Sequence, residues 1–393
     1  MPAPAATPTV RRVNRTVTVL LLDPNGESLG PLPPFDVPAP WWQETSDVVA
    51  VIQEQHGLAV DVLRILTTER AEPPGGAVTY LAQIRAATPT SPPLADPATR
   101  DQPKRAAYAR PGGPARSLAW ATGITGPARA VQQRTWNLSA IWALETPTAR
   151  YWLKQVPAWL PREPVVLNWF AGVLPELVPR LLAVGPDGCE LLADVPGVDL
   201  YDADLPTRLL IEEQAHRFQV AALGTIGDLV AAGIPDRRGP ELAEWIRASL
   251  SGWKQADDLL SGLDERLAAV ADCGLPGTLV HGDAHPGNAR RDGARLVILD
   301  WSDCAVDHPG FDVLDLAEGL PDAEAAVLFA AWADRWRRQV PGCEPDRALD
   351  LLRPVVALRS AALYAEFVAH VEPAEHRYHV ADVEHLLEGL GRS

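Results

Sequence analysis

The chain has 393 residues, 47% of them apolar and 22% charged, which is material for two or three globular units with real cores. Its apolar runs, such as residues 17–22, fall far short of the ~20 needed to span a bilayer, so no membrane partner is expected. With 35 Lys and Arg against 51 Asp and Glu and no basic patch, the formal charge of −16 repels a phosphate backbone and argues against nucleic acid. Cys189, Cys273, Cys304 and Cys343 show neither CxxC nor Cys/His spacing, so neither a zinc site nor a disulfide framework is expected. Residues 1–10 hold no basic segment leading into an apolar one, and the expected compartment is the cytoplasm.

In chain order, residues 16–22 read as a strand, 47–56 as a short helix stopped by Gly57, and 59–66 and 77–84 as strands. They make a small α/β unit over residues 1–85. Residues 86–115 carry seven prolines and no apolar periodicity, which predicts a linker. Residues 129–145 and 150–156 alternate as two strands around the turn Thr146-Pro147-Thr148, followed by a helix near 165–171 and a strand near 190–195. Beyond Pro206 the pattern is helical, over 209–232, 241–273, 323–339, 347–369 and 380–390, interrupted by two short apolar strands at 278–281 and 295–299. Sheet first and helices after predicts an α+β body of two lobes, β-rich over 116–197 and helical over 198–393, with a cleft between them. The acidity belongs to that body, since residues 1–115 hold 10 basic and 11 acidic residues and the rest hold 25 and 40.

The stretch that carries chemistry is Leu279-Val-His-Gly-Asp-Ala-His-Pro-Gly-Asn288, followed by Leu296-Val-Ile-Leu-Asp-Trp301. Asp283 and Asn288 lie five apart on a loop with Pro286 and Gly287, and Asp300 ends the second strand. Pairing of the two strands as a hairpin would bring one amide oxygen and two carboxylates to one edge. Such hard oxygen donors suit Mg²⁺ carrying a nucleotide's phosphates, and a carboxylate outside the metal shell can accept a hydroxyl proton. Taken singly, Asp283 and Asn288 read rather as turn caps, and it is the whole string with the second strand that favours the metal site.

The string HGDAHPGN followed by ILDWSD resembles the catalytic loop and metal-binding strand of the aminoglycoside phosphotransferase family, relatives of the protein kinases. The resemblance implies a two-lobed protein-kinase-like fold, ATP and Mg²⁺ as cofactors, Asp283 as catalytic base, and Asn288 and Asp300 as magnesium ligands. It also implies a strand lysine for the nucleotide's phosphates, where Lys154 in Tyr151-Trp-Leu-Lys-Gln stands, one of three lysines against 32 arginines. Trp136-Asn-Leu-Ser139 stands where the family's phosphate-covering loop belongs, without its glycine, and Asn137 or Ser139 could donate hydrogen bonds instead of exposed backbone. Glu163 is the best match to the glutamate that pairs with the lysine, although Pro164 places it at a helix entrance. Residues 191–197, with Asp194 and Val195, resemble the linker between lobes whose backbone binds adenine. By the same resemblance Asp312 is structural and bonded to the catalytic-loop backbone, while His281 and His285 are packed loop residues. Residues 44–58 resemble a depleted Nudix box in which Glu54 alone matches an acidic position, so no hydrolysis is expected from the N-terminal unit.

The function these residues imply is ATP-dependent transfer of a phosphoryl group to a hydroxyl of a small molecule. Asp202, Asp204, Glu212, Glu213, Glu366, Glu372 and Glu375, on the acceptor side by resemblance, would favour a cationic acceptor such as an aminoglycoside or amino sugar. The alternatives are a non-catalytic nucleotide-binding regulator, motivated by the absent loop glycine and irregular Glu163, and a kinase for a neutral sugar, nucleoside or other small alcohol.

Overall fold

Val17, Val19 and Leu21 alternate with Thr16, Thr18 and Leu20 along Arg15–Leu22, the strand β1, and put one face of it into a core. The computed structural model describes residues 14–85 and 102–390. Beside β1 lie β2 (Ser28–Pro31) and β3 (Phe35–Val37), neither of them read from the sequence; both are too short for an alternation to show. The helix α1 (Ser46–His56) ends where Gly57 takes a left-handed conformation. It leads into β4 (Val60–Thr68) and β5 (Gly76–Ile84), and the sheet runs β2-β1-β5-β4 with β1 and β5 parallel and β3 paired to β1. Val48 and Ile52 of α1 pack with Trp42, Val60, Val62 and Tyr80 on one face of this sheet.

The chain divides into two compact units, and the first joins this module to the strands that follow it, across the expected boundary at residue 115. Of the expected linker, residues 86–101 lie outside the described residues; from Gln102 the chain makes a short turn and then the helix α2 (Gly113–Thr125), with Pro114 in its first turn. The expected strand 129–145 is two strands, β6 (Arg129–Thr135) and β7 (Ala140–Glu145), because Trp136 donates its backbone N–H to Ser139 O and closes a turn. β8 (Arg150–Gln155) completes an antiparallel meander. The module and meander are joined by polar bonds. Both amide atoms of the Gln132 side chain bond the backbone of Val62 on β4, at 2.8 and 2.9 Å, and the indole of Trp142 donates to Asp61 at 2.8 Å. Val371–Tyr378 belongs to this unit too, with Tyr378 in the core of the module.

The second unit begins with α3 (Arg162–Val173), then the hairpin β9 (Leu181–Val184) and β10 (Cys189–Ala193), and the short β11 (Val198–Asp199). The helix expected over 209–232 is α4 (Leu205–Ala222) and α5 (Ile226–Ala231), parted at Gly224-Thr225. That expected over 241–273 is α6 (Pro240–Ser249) and α7 (Leu263–Ala271), parted by a loop in which Gly252 and Gly262 hold positive φ. Next come β12 (Thr278–Val280), β13 (Ala289–Asp292), β14 (Arg295–Ile298), β15 (Ala305–Asp307) and α8 (Gly310–Leu316). The helices α9 (Asp322–Gln339), α10 (Pro345–His370) and α11 (Val380–Leu390) finish it, close to the expected spans. Leu242, Ile246, Leu267, Phe311, Leu358 and Val383 share its helical core.

Candidate active site

The two strands expected to pair with each other do not. β12 pairs with β15, and β14 pairs with β13, a strand hidden in the polar run Ala-Arg-Arg-Asp. The convergence is nevertheless produced, because Ala289 lies opposite Ile298 and Leu299 donates its N–H to Asn288 O at 2.7 Å. Asn288 and Asp300 therefore stand at the same end of the β13–β14 hairpin.

β12 is buried throughout and delivers the chain to Gly282, whose φ of +85° and distance of 2.2 Å from a built Cβ to Asp303 O admit no side chain. The His281 ring accepts the Asp283 N–H on Nδ1 (3.3 Å), so its Nε2 carries the proton and donates to Leu299 O at 2.8 Å. Asp312 on α8 accepts the N–H groups of His281 and Gly282, both at 3.1 Å, and the Gln219 amide at 2.9 Å. Burial pushes the Asp312 carboxyl above its usual range, and the backbone N–H donors of His281 and Gly282 oppose that shift. The structural roles expected for His281 and Asp312 are the ones observed. His285 folds back to accept the Gly287 N–H at 3.0 Å.

Asp283 is exposed at the tip of this braced loop, and its Oδ2 receives the Asn288 amide at 2.8 Å. The same amide donates to Asp283 O at 3.0 Å, which leaves the Asn288 side-chain oxygen as the acceptor available to a ligand. Asp300 is exposed and holds φ at +59°, a left-handed conformation that costs an L-residue ~1 kcal/mol and is imposed by the surrounding structure. Asp303 lies close behind. Its carboxyl is pushed up to about 6 by burial and then by the charges of Asp283 and Asp300, and its Oδ1 is buried without a hydrogen-bond partner.

A buried carboxyl disfavoured by two neighbouring negative charges fits a site that a bound cation would neutralise. Among the described residues no three His, Cys, Asp or Glu side chains could hold a metal alone. The Asp300 carboxylate and the Asn288 amide oxygen fit Mg²⁺ that takes its remaining ligands from phosphate and water, with Asp283 outside that shell.

Glu163, fully buried in the first turn of α3, accepts the Trp301 N–H at 3.4 Å, and the adjacent Arg162 donates to Ser302 O at 3.4 Å. Both residues thus hold the backbone just past Asp300. Asp194 and Val195 follow β10, and β11 beyond them pairs with β13, so this segment reaches the same hairpin. In the first unit, Lys154 is buried on β8 opposite Ile141, and Asn137 and Ser139 occupy the β6–β7 turn. The Asn137 amide donates to Glu375 O at 3.2 Å and the Ser139 hydroxyl accepts the Trp136 indole N–H at 3.1 Å, so both side chains already serve the turn.

Sequence reasoning missed Arg359 of α10. It is buried, donates to Asp307 at 3.2 Å and to Gly282 O at 3.4 Å, and lies 4.9 Å from the Phe311 ring centroid. The acidic acceptor side is corrected. Glu366 bonds Arg237 (3.2 Å) and the Trp245 indole (3.1 Å), Glu212 is buried against Arg335, and Asp204 caps α4 by accepting the Thr207 N–H at 3.0 Å. Glu372 pairs with Arg105, and both it and Glu375 belong to the first unit. Much of that charge serves internal ion pairs, which a sequence cannot reveal.

No curated protein is significantly similar to the chain in sequence. Among solved structures it resembles the macrolide 2'-phosphotransferase MphH from Brachybacterium faecium, at 20% identity and a TM-score of 0.51 over 70% of this chain and 98% of that one. APH(2")-IIia, solved with GDP and kanamycin, is 13% identical with a TM-score of 0.52 over 70% and 97% of the two chains. Plasmodium vivax ethanolamine kinase is 9% identical with a TM-score of 0.52 over 70% and 88%. These likenesses establish a kinase-like α+β fold. The family model described as the phosphotransferase enzyme family matches residues 130–349, more than half of the chain and all of the Asp283, Asn288 and Asp300 arrangement, so the chain belongs to that family.

Proposed function

We propose that the protein transfers the γ-phosphoryl group of ATP to a hydroxyl of a small molecule. The observation that carries this reading is the end of the β13–β14 hairpin, where Asn288 and Asp300 stand beside an exposed Asp283 whose backbone is fixed by the His281 ring. In this reading Asp283 accepts the proton of the acceptor hydroxyl as that oxygen bonds to the γ-phosphorus and the bond to the departing ADP breaks. Asn288 and Asp300 would hold Mg²⁺, which when bound neutralises charge on the phosphates. Lys154 would fix the α- and β-phosphates, and the backbone near Asp194 and Val195 would meet the adenine. Glu163 supports the site by holding Trp301. Most of the rate enhancement then comes from positioning and from charge placed before the reaction.

The acceptor class rests on the relatives, because the acidic residues expected to attract a cation are largely paired within the protein. A transfer screen with labelled ATP or GTP over aminoglycosides, macrolides, ethanolamine, neutral sugars and nucleosides tests the reading. Magnesium-dependent labelling of one acceptor class is expected. Nucleotide binding with no transfer to any hydroxyl compound would favour the non-catalytic regulator.

A further inference from the structure

Three segments remote in sequence meet at the turn of the β6–β7 hairpin, residues 136–139. Trp136 stands edge-on to Tyr378 at 5.7 Å, and Tyr378 stands edge-on to Trp42 of the N-terminal module at 5.9 Å. The Asn137 amide, only 8% exposed, donates to Glu375 O at 3.2 Å. Immediately before the turn, Thr135 donates its N–H to Gln43 O at 3.0 Å, and Arg134 forks onto Glu44 at 2.7 and 3.1 Å. The 371–378 segment is itself anchored. Arg105 makes a two-bond pair with Glu372 (2.7 and 3.0 Å), both almost fully buried, and Arg377 donates to Thr68 Oγ1 at 2.7 Å.

We propose that Asn137 and Trp136 are positioning residues, which fasten the turn to the 371–378 segment so that the protein, rather than bound nucleotide, fixes the turn's conformation. The proposal rests on the reading that this hairpin covers the nucleotide's phosphates. A glycine-rich loop in that role has many conformations to lose on binding, whereas a turn braced by side chains loses few. The brace accounts for a turn built from Trp, Asn, Leu and Ser. It also gives the N-terminal module and the 371–378 segment a task in the reaction without placing either against substrate.

The test uses the full chain, with nucleotide affinity read by displacement of a fluorescent ATP analogue and kinetics read separately for ATP and acceptor. If releasing the turn leaves it competent about a tenth of the time, the Kd and KM for ATP rise ~10-fold, while kcat and the acceptor KM stay within about threefold. That result is expected for Asn137→Ala and, through the anchor of the segment, for Arg377→Gln, whose partly exposed bond makes misfolding a smaller risk. Arg85→Gln, which removes an ion pair with Asp61 in the same unit, serves as the comparison and should lower the melting temperature without raising the KM for ATP. A folded Asn137→Ala protein with unchanged ATP affinity overturns the proposal, as does an equal rise in Arg85→Gln. A wild-type chain that binds no nucleotide overturns the functional reading itself and this proposal with it.

Discussion

Asp283 is both exposed and fixed, with its N–H on the His281 ring and its Oδ2 on the Asn288 amide. An asparagine there keeps the shape and an acceptor for Asn288 while removing the base. Asp283→Asn should therefore fold, bind nucleotide within about threefold of wild type and lose ~10²-fold or more in kcat, measured by steady-state kinetics. A second prediction concerns Glu375, buried with Oε2 unpartnered and its carboxyl pushed up to about 8 by burial and then by Glu372. Its native pKa lies above the unfolded value, so between those values the native state holds the extra proton and stability falls as pH rises toward 8. Burial holds the histidines His216 and His308 at about 4 and 3, below their ordinary 6.5, so they oppose this trend only below that pH. Melting temperatures followed from pH 6.5 to 8 should thus decline, and more shallowly in Glu375→Gln; an identical slope would remove Glu375 from the account. That Asp283, Asn288 and Asp300 lie near one another was legible because they sit in the two neighbouring motifs HGDAHPGN and ILDWSD. Arg359 was not, since its bonds to Asp307 and Gly282 close loops of 52 and 77 residues and no local pattern marks them.

At the scale of elements, the strands with long apolar alternation and the helices with a clear apolar period were read close to where they lie, as with β1, β5, α1, α9 and α11. The errors fall where backbone geometry outweighs composition. β13 is made of Ala-Arg-Arg-Asp and owes its strand conformation to pairing with β14, and the two long helices break at positions whose apolar pattern continues. Gly282 shows how narrow the loop's tolerance is. Gly282→Ala would force a Cβ against Asp303 O, so the protein should be destabilised and transfer lost together; a fully active alanine variant would show that the loop sits differently. Gln132 is a second such point, because its amide stands in for a strand partner of Val62. Gln132→Ala leaves a buried N–H and C=O unmatched and should cost about 2 kcal/mol in denaturant unfolding. A change below about 0.5 kcal/mol would mean that water replaces the amide there.

Across the whole molecule, the proline-rich stretch suggested a detachable N-terminal unit, yet the bonds run through that boundary. Gln132 with Val62, Trp142 with Asp61 and Tyr378 inside the module's core join residues on both sides of it. A chain begun at Arg116 should consequently be insoluble or expanded, which size-exclusion chromatography would register; a compact, nucleotide-binding fragment would restore the module as an appendage. The depleted Nudix-like helix fits a bracing role, since α1 carries only Asp47 and Glu54 as acids. The central claim is that the protein is a phosphotransferase working through the end of the β13–β14 hairpin. Its most direct test is the magnesium dependence of nucleotide affinity in wild type and in Asp300→Ala. The account predicts that magnesium tightens nucleotide binding to the wild type by ~10-fold or more and does little for the variant; an unchanged magnesium dependence in folded Asp300→Ala would contradict it.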